Sequence, residues 1–139
     1  MPALQKINDF PEQLLRAKHD FGTHVFKVAL TNTAPTAAST ALAEITQVAA
    51  SGGYVSGGYS LDSVAVSETG GTAKVTIADE VITATGGAVG PFRYAVVYND
   101  TSSSKLLVGY VDRGESITLA DGDSLTLDFD GTNGVITLA

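Results

Sequence analysis

Apolar positions follow two different periods along the chain. Over residues 9–18 they recur at helical spacing, with Phe10, Leu14 and Ala17 on one face. Asp9 stands where an N-cap belongs, Pro11 suits a first turn and Glu12 occupies the acidic position of a capping box, so a short helix is predicted there. Past Gly22 the period shortens to two. The run 24–30, with Val25, Phe26, Val28 and Leu30, predicts a first strand, and further strands are predicted over 59–66, 73–77, 80–84, 92–99, 105–112, 116–119, 124–129 and 135–138. Residues 31–40 read as a loop, and 41–50 as a short helix or irregular segment.

Turn residues separate these runs. Gly52-Gly53, Gly57-Gly58, Gly70-Gly71, Gly86-Gly87, Asn99-Asp100, Asp121-Gly122 and the stretch from Gly131 to Gly134 punctuate the chain at the spacing of hairpins. Two hairpins stand out. Phe92, Tyr94, Val96 and Tyr98 alternate with Arg93, Ala95 and Val97, and Leu106, Val108 and Tyr110 repeat the alternation after a serine-rich turn. Leu125, Leu127 and Phe129 predict a strand that reverses at 131–134 into a last strand, which is expected to end inside the sheet. The expected fold is all-β, an antiparallel β-sandwich of jelly-roll-like or Greek-key topology with a short N-terminal helical arm: residues 1–22 form the arm and 23–139 the sandwich.

At 139 residues the chain is the size of one domain with one core. It has no cysteine, which removes disulfides and thiolate chemistry. A net charge of −7 with only eight scattered Lys and Arg disfavours nucleic acid as a partner. No run approaches the roughly 20 apolar residues of a membrane helix, and residues 1–22 lack the apolar stretch of a secretory signal, so no membrane partner is expected and synthesis in the cytoplasm is.

Candidate chemistry is sparse. Both histidines lie in His19-Asp20-Phe21-Gly22-Thr23-His24, where two imidazoles and one carboxylate fall short of a metal ligand set, so these residues are read as organising the turn from arm to first strand. The segment with Asp128, Asp130 and Asn133 resembles an oxygen-rich calcium loop, yet its twelfth position is Ala139, and turn chemistry is the preferred reading. Asp79 and Glu80, as neighbours on extended backbone, point apart and make no acid–base pair. No catalytic residue, cofactor or metal is assigned. Leu4, Ile7, Phe10 and Leu14 on the arm, with Tyr54 and Tyr59 among glycines, are the candidate assembly contacts.

Several segments in order carry a family resemblance: the 19–24 segment leading into Phe26-Lys27-Val28-Ala29-Leu30-Thr31, an Ala/Thr-rich stretch with Glu44 and Val48, then Gly57-Gly58-Tyr59-Ser60-Leu61, the run from Phe92 to Thr101, and the closing Leu125-Thr126-Leu127-Asp128. Nearly the whole chain resembles the small virion structural proteins of tailed bacteriophages, of the capsid decoration or cement type. The resemblance implies a non-enzymatic subunit that binds the capsid surface and stabilises the head. Its expected location is the virion after synthesis in the host bacterial cytoplasm. Its expected partners are the major capsid protein or another virion protein, and further copies of itself, a trimer among the forms considered. A tail-associated structural or carbohydrate-binding module is the alternative.

Overall fold

A computed structural model describes residues 3–139. Among these residues the fold is all-β and sandwich-like: ten antiparallel strands accompany one six-residue α-helix and one turn of 3-10 helix. The strands are β1 (Gln5–Lys6), β2 (Phe26–Thr31), β3 (Tyr59–Ser60), β4 (Ala65–Thr69), β5 (Thr72–Thr76), β6 (Glu80–Thr83), β7 (Val89–Asn99), β8 (Leu107–Leu119), β9 (Ser124–Leu127) and β10 (Ile136–Leu138). They form a five-stranded sheet in the order β1-β8-β7-β2-β3, a three-stranded sheet β10-β5-β4 and a two-stranded sheet β6-β9. This division into five, three and two strands is the topology that turn spacing left open.

The long strands β7 and β8 pair as the sequence predicts, and β2 pairs with the other edge of β7. From Ala95 to Asn99 every side chain of β7 is buried, so this strand is covered on both faces. Such double burial suits the Val- and Tyr-rich composition. Strict alternation breaks at three register shifts between Val89 and Tyr98, which is why the expected single aromatic face is not a clean one. Buried residues of all three sheets, together with Ile7, Phe10 and Phe21 of the N-terminal segment, belong to one hydrophobic cluster.

Five expectations need correction. The helix, α1 (Phe10–Leu15), stops well short of residue 18, because Ala17 takes a left-handed φ of 61°. Its capping box does not form: the Asp9 carboxylate accepts a bond from Gln13 Nε2, while Glu12 pairs with Arg16 at 2.8 Å. The predicted strand 59–66 is two strands in two different sheets, divided near Ser63, whose φ is 53°. Runs 105–112 and 116–119 are one strand, since Gly114 bends within β8 without reversing it, its N–H bonded to Asp112 Oδ1 at 2.8 Å. Finally, the closing hairpin is absent. β9 pairs with β6 and β10 with β5, so the turn at 131–134 carries the chain from one sheet to another, and β10 is an edge strand.

Residues 41–50 hold the 3-10 turn Leu42–Glu44 within otherwise irregular backbone. The N-terminal arm lies on the chain's own sheet. β1 adds to the edge of β8 opposite Tyr110 and Gly109, and Ile7 and Phe10 behind it are fully buried. Gly109 permits this approach, because a Cβ there would overlap the Gln5 carbonyl oxygen and press on Leu4. Gly58 plays the same part where the chain nears β2: its φ is 79°, and a Cβ would run into the Val28 carbonyl.

Gly109→Ala is therefore expected to lower stability by about 1–3 kcal/mol and to speed amide exchange at residues 5–7. Gly131→Ala, where a Cβ meets open space, should stay within about 0.5 kcal/mol of the parent. Urea unfolding of the two variants compares them directly.

Candidate functional site

The site begins with an apolar strand that ends in a polar side chain. Asn99 terminates β7 with no exposed surface, opposite Phe26 on β2. Its amide must find partners there, because an unpaired buried polar group is costly. The Thr101 N–H donates to Asn99 Oδ1 at 3.0 Å, which fixes the orientation of the amide. Asn99 Nδ2 then faces three acceptors: the Lys18 carbonyl at 3.1 Å, His19 Nδ1 at 3.2 Å and His24 Nδ1 at 3.0 Å. An amide NH2 can only donate, so an imidazole that bonds it does so through a bare Nδ1 and, when neutral, carries its proton on Nε2. The Asp20 N–H also donates to His24 Nδ1, at 3.2 Å. Asp20 itself accepts from Gly22 N–H and Thr23 Oγ1 and so shapes the turn, the role the sequence reading gave it.

Around this node the rings of Phe10, Phe21 and Phe26 pack on His19, with centroids 5.2, 6.2 and 6.2 Å away. His19 is 5% exposed and its Nε2 has no hydrogen-bond partner. Burial, and secondarily the nearby His24, lower its pKa from 6.5 to about 4 against an opposing pull from Asp9. The imidazole is neutral over the ordinary pH range and acts as a packed ring that accepts one bond.

Outside the node lies a groove of about 620 Å³. One wall is the arm, with Leu14, Leu15, Ala17, His19, Phe21 and His24. The other is the three-stranded sheet. Register places Val66, Val75 and Ile136 on one face of that sheet, with Ala73 and Leu138 two residues further along the same face, and all five line the groove. Leu15, Val66 and Leu138 stand at 84%, 53% and 59% exposure, three of the six large hydrophobic side chains that are exposed among the described residues. Single exposed apolar residues are commonplace, but three converging on one concavity make an adhesive patch.

The candidate contacts named from sequence are scattered. Ile7, Phe10 and Tyr54 are buried in the chain's own core and have no free side-chain surface for a partner. Tyr54 is held there by its hydroxyl, which accepts the Leu30 N–H at 3.1 Å and donates to Gln47 Oε1 at 2.6 Å. Tyr59 is half-buried, edge-on to Tyr54 at 5.6 Å, and its hydroxyl has no partner. Leu4 is half-buried beside Val111, Phe129 and Val135. Only Leu14 reaches the groove. Leu15 was legible as the leucine out of phase with Phe10 and Leu14. Val66 and Leu138 carried no such signal, because their neighbours across the groove come from the arm.

The acidic loop behaves as turn chemistry: Asp130 accepts from Thr132 N–H, Asn133 N–H and Asn133 Nδ2. Asp79 accepts the Phe129 N–H at 2.8 Å and so ties the end of β9 to the chain leading into β6. Among the described residues no three His, Cys, Asp or Glu side chains gather in a way that could hold a metal ion.

Comparison with protein families, curated proteins and solved structures returned no match to this chain.

Asn99→Leu removes four hydrogen-bonding contacts at once and strands the Lys18 carbonyl and the Thr101 N–H. The expected loss is about 2–4 kcal/mol in urea unfolding, with amide exchange rising first at residues 18–24.

Proposed function

We propose that the chain is a non-enzymatic structural subunit of a tailed-phage virion that binds the capsid surface as a decoration or cement protein and stabilises the head. The observation that carries this reading beyond the sequence resemblance is the groove between the arm and the three-stranded sheet. Its rim presents Leu15, Val66 and Leu138 to solvent, and the buried side chains Phe21, Val75 and Ile136 also line it. Apolar surface concentrated on a firm concavity is what a docking subunit requires, since binding then demands little reordering. The polar material beside it, Asp20, His24 and Lys74, supplies a wet rim around an apolar centre.

A decoration subunit gains from a fold that does not open when loaded. The arm adds a strand to β8 and buries Ile7 and Phe10, so the wall of the groove is tied into the same core as the long strands. The partner in this reading is the major capsid protein or another virion protein, and assembly as a homo-oligomer is part of it.

Leu15→Asp and Val66→Asp are expected to weaken binding to undecorated heads at least about tenfold each, with the unfolding midpoint of the free protein unchanged for Leu15→Asp, whose side chain already faces water, and slightly lowered for Val66→Asp, whose strand position favours a β-branched residue. Co-sedimentation with heads at neutral pH, followed by heating of the pelleted particles, checks both binding and stabilisation. If the unaltered chain neither pellets with heads nor raises their heat resistance, the decoration role is wrong.

A further inference from the structure

The histidine node closes the arm onto the sheet with a hydrogen-bond pattern that depends on protonation. Asn99 Nδ2 brings two hydrogens to three acceptors, two of which are imidazole Nδ1 atoms. A proton on His19 Nδ1 turns that acceptor into a donor aimed at another donor. The Asn99 amide cannot turn over to compensate, because its Oδ1 holds the Thr101 N–H.

We propose that this node is an acid-sensitive latch: a cationic imidazole at position 19 expels the Asn99 amide and frees the arm from the five-stranded sheet, which removes one wall of the apolar groove. The consequence for docking rests on the decoration reading above, whereas release of the arm rests on the node alone.

The groups that face the node set the direction. On the helix side the Asp9 carboxylate favours a cation at His19, while His24 and the surrounding Phe10, Phe21 and Phe26 oppose it. Lys18 and Asp20 flank the ring in sequence, Asp20 being committed to Gly22 and Thr23. Lys74 on β5 adds a positive charge across the groove and bonds the Thr132 carbonyl. The docked His19 takes a proton only near pH 4, whereas a freed imidazole takes one near 6.5. The released state therefore binds more protons in that window, so the docked arm is fully favoured above about 6.5 and loses that advantage as pH falls towards about 4. The difference bounds the gain of the released form at about 300-fold.

The design of the node suggests its own control. His19→Phe keeps an aromatic ring in the cage of phenylalanines and cannot titrate, and it leaves Asn99 with two acceptors, Lys18 O and His24 Nδ1, for its two hydrogens. The experiment is amide hydrogen exchange of the full chain at pH 7 and pH 4, corrected for intrinsic exchange rates, for the unaltered protein and His19→Phe. In the unaltered protein, protection over residues 5–24 should fall at least about 30-fold relative to β7, and in His19→Phe by under about threefold. Equal loss in the arm and β7, no loss in the arm, or the same loss in both proteins would overturn the latch. Should His19→Phe fold poorly, proton NMR of the unaltered protein decides, since the chain has only two histidine ring signals to follow. The midpoint of the His19 signal must coincide with the shift of the arm amides, and titration of His19 with the arm unmoved sinks the proposal. Failure of the unaltered chain to bind heads at neutral pH counts against decoration and leaves the latch untouched.

Discussion

Burial of residues 95–99 of β7 on both faces is the constraint from which the rest of this structure follows. A strand paired along both edges, by β2 and β8, can be hidden completely only if something also covers each face of the sheet it centres. The arm contributes to that cover, laying Ile7, Phe10, His19 and Phe21 into the common core. Because the cover includes backbone that is neither helix nor strand, its polar groups need partners at the sheet end. Asn99 supplies them at the last residue of the strand, bonding the Lys18 carbonyl and both imidazoles. A leucine at that position would continue the apolar pattern and leave the arm unanchored.

The architecture was legible where local pattern and pairing coincide. The β7–β8 hairpin could be read from alternation and a serine-rich turn, as could the fold class from the density of short strands. What failed was partner choice. The run 124–129 and the run 135–138 are adjacent, alternate correctly and flank a glycine-rich turn, yet each pairs with a strand far away in sequence. Alternation says which side chains face inwards but not which backbone lies alongside. Gly114 shows the complementary error, since its φ of 93° is equally at home in a bend within a strand and in a reversal.

The candidate site was less legible for the same reason. Ile7, Phe10 and Tyr54 drew attention as large residues outside regular strands, and the core absorbed them. Asn99 read as the first residue of a turn, which it is, although its side chain points back to the arm. The groove's residues are individually ordinary, and they gain meaning only when α1 and the three-stranded sheet face each other. Leu15, out of phase with Phe10 and Leu14, is the one among them that a helical pattern could have singled out.

The groove is also a record of completion. One of its walls comes from residues 14–24 and the other includes β10, so the first helix and the last strand described here must both be in place before the patch exists. A chain with either end unpaired has the individual leucines and valines but no concavity to present them. The surface is thus a coincidence detector for a finished fold, and molecules caught partway through folding lack it altogether.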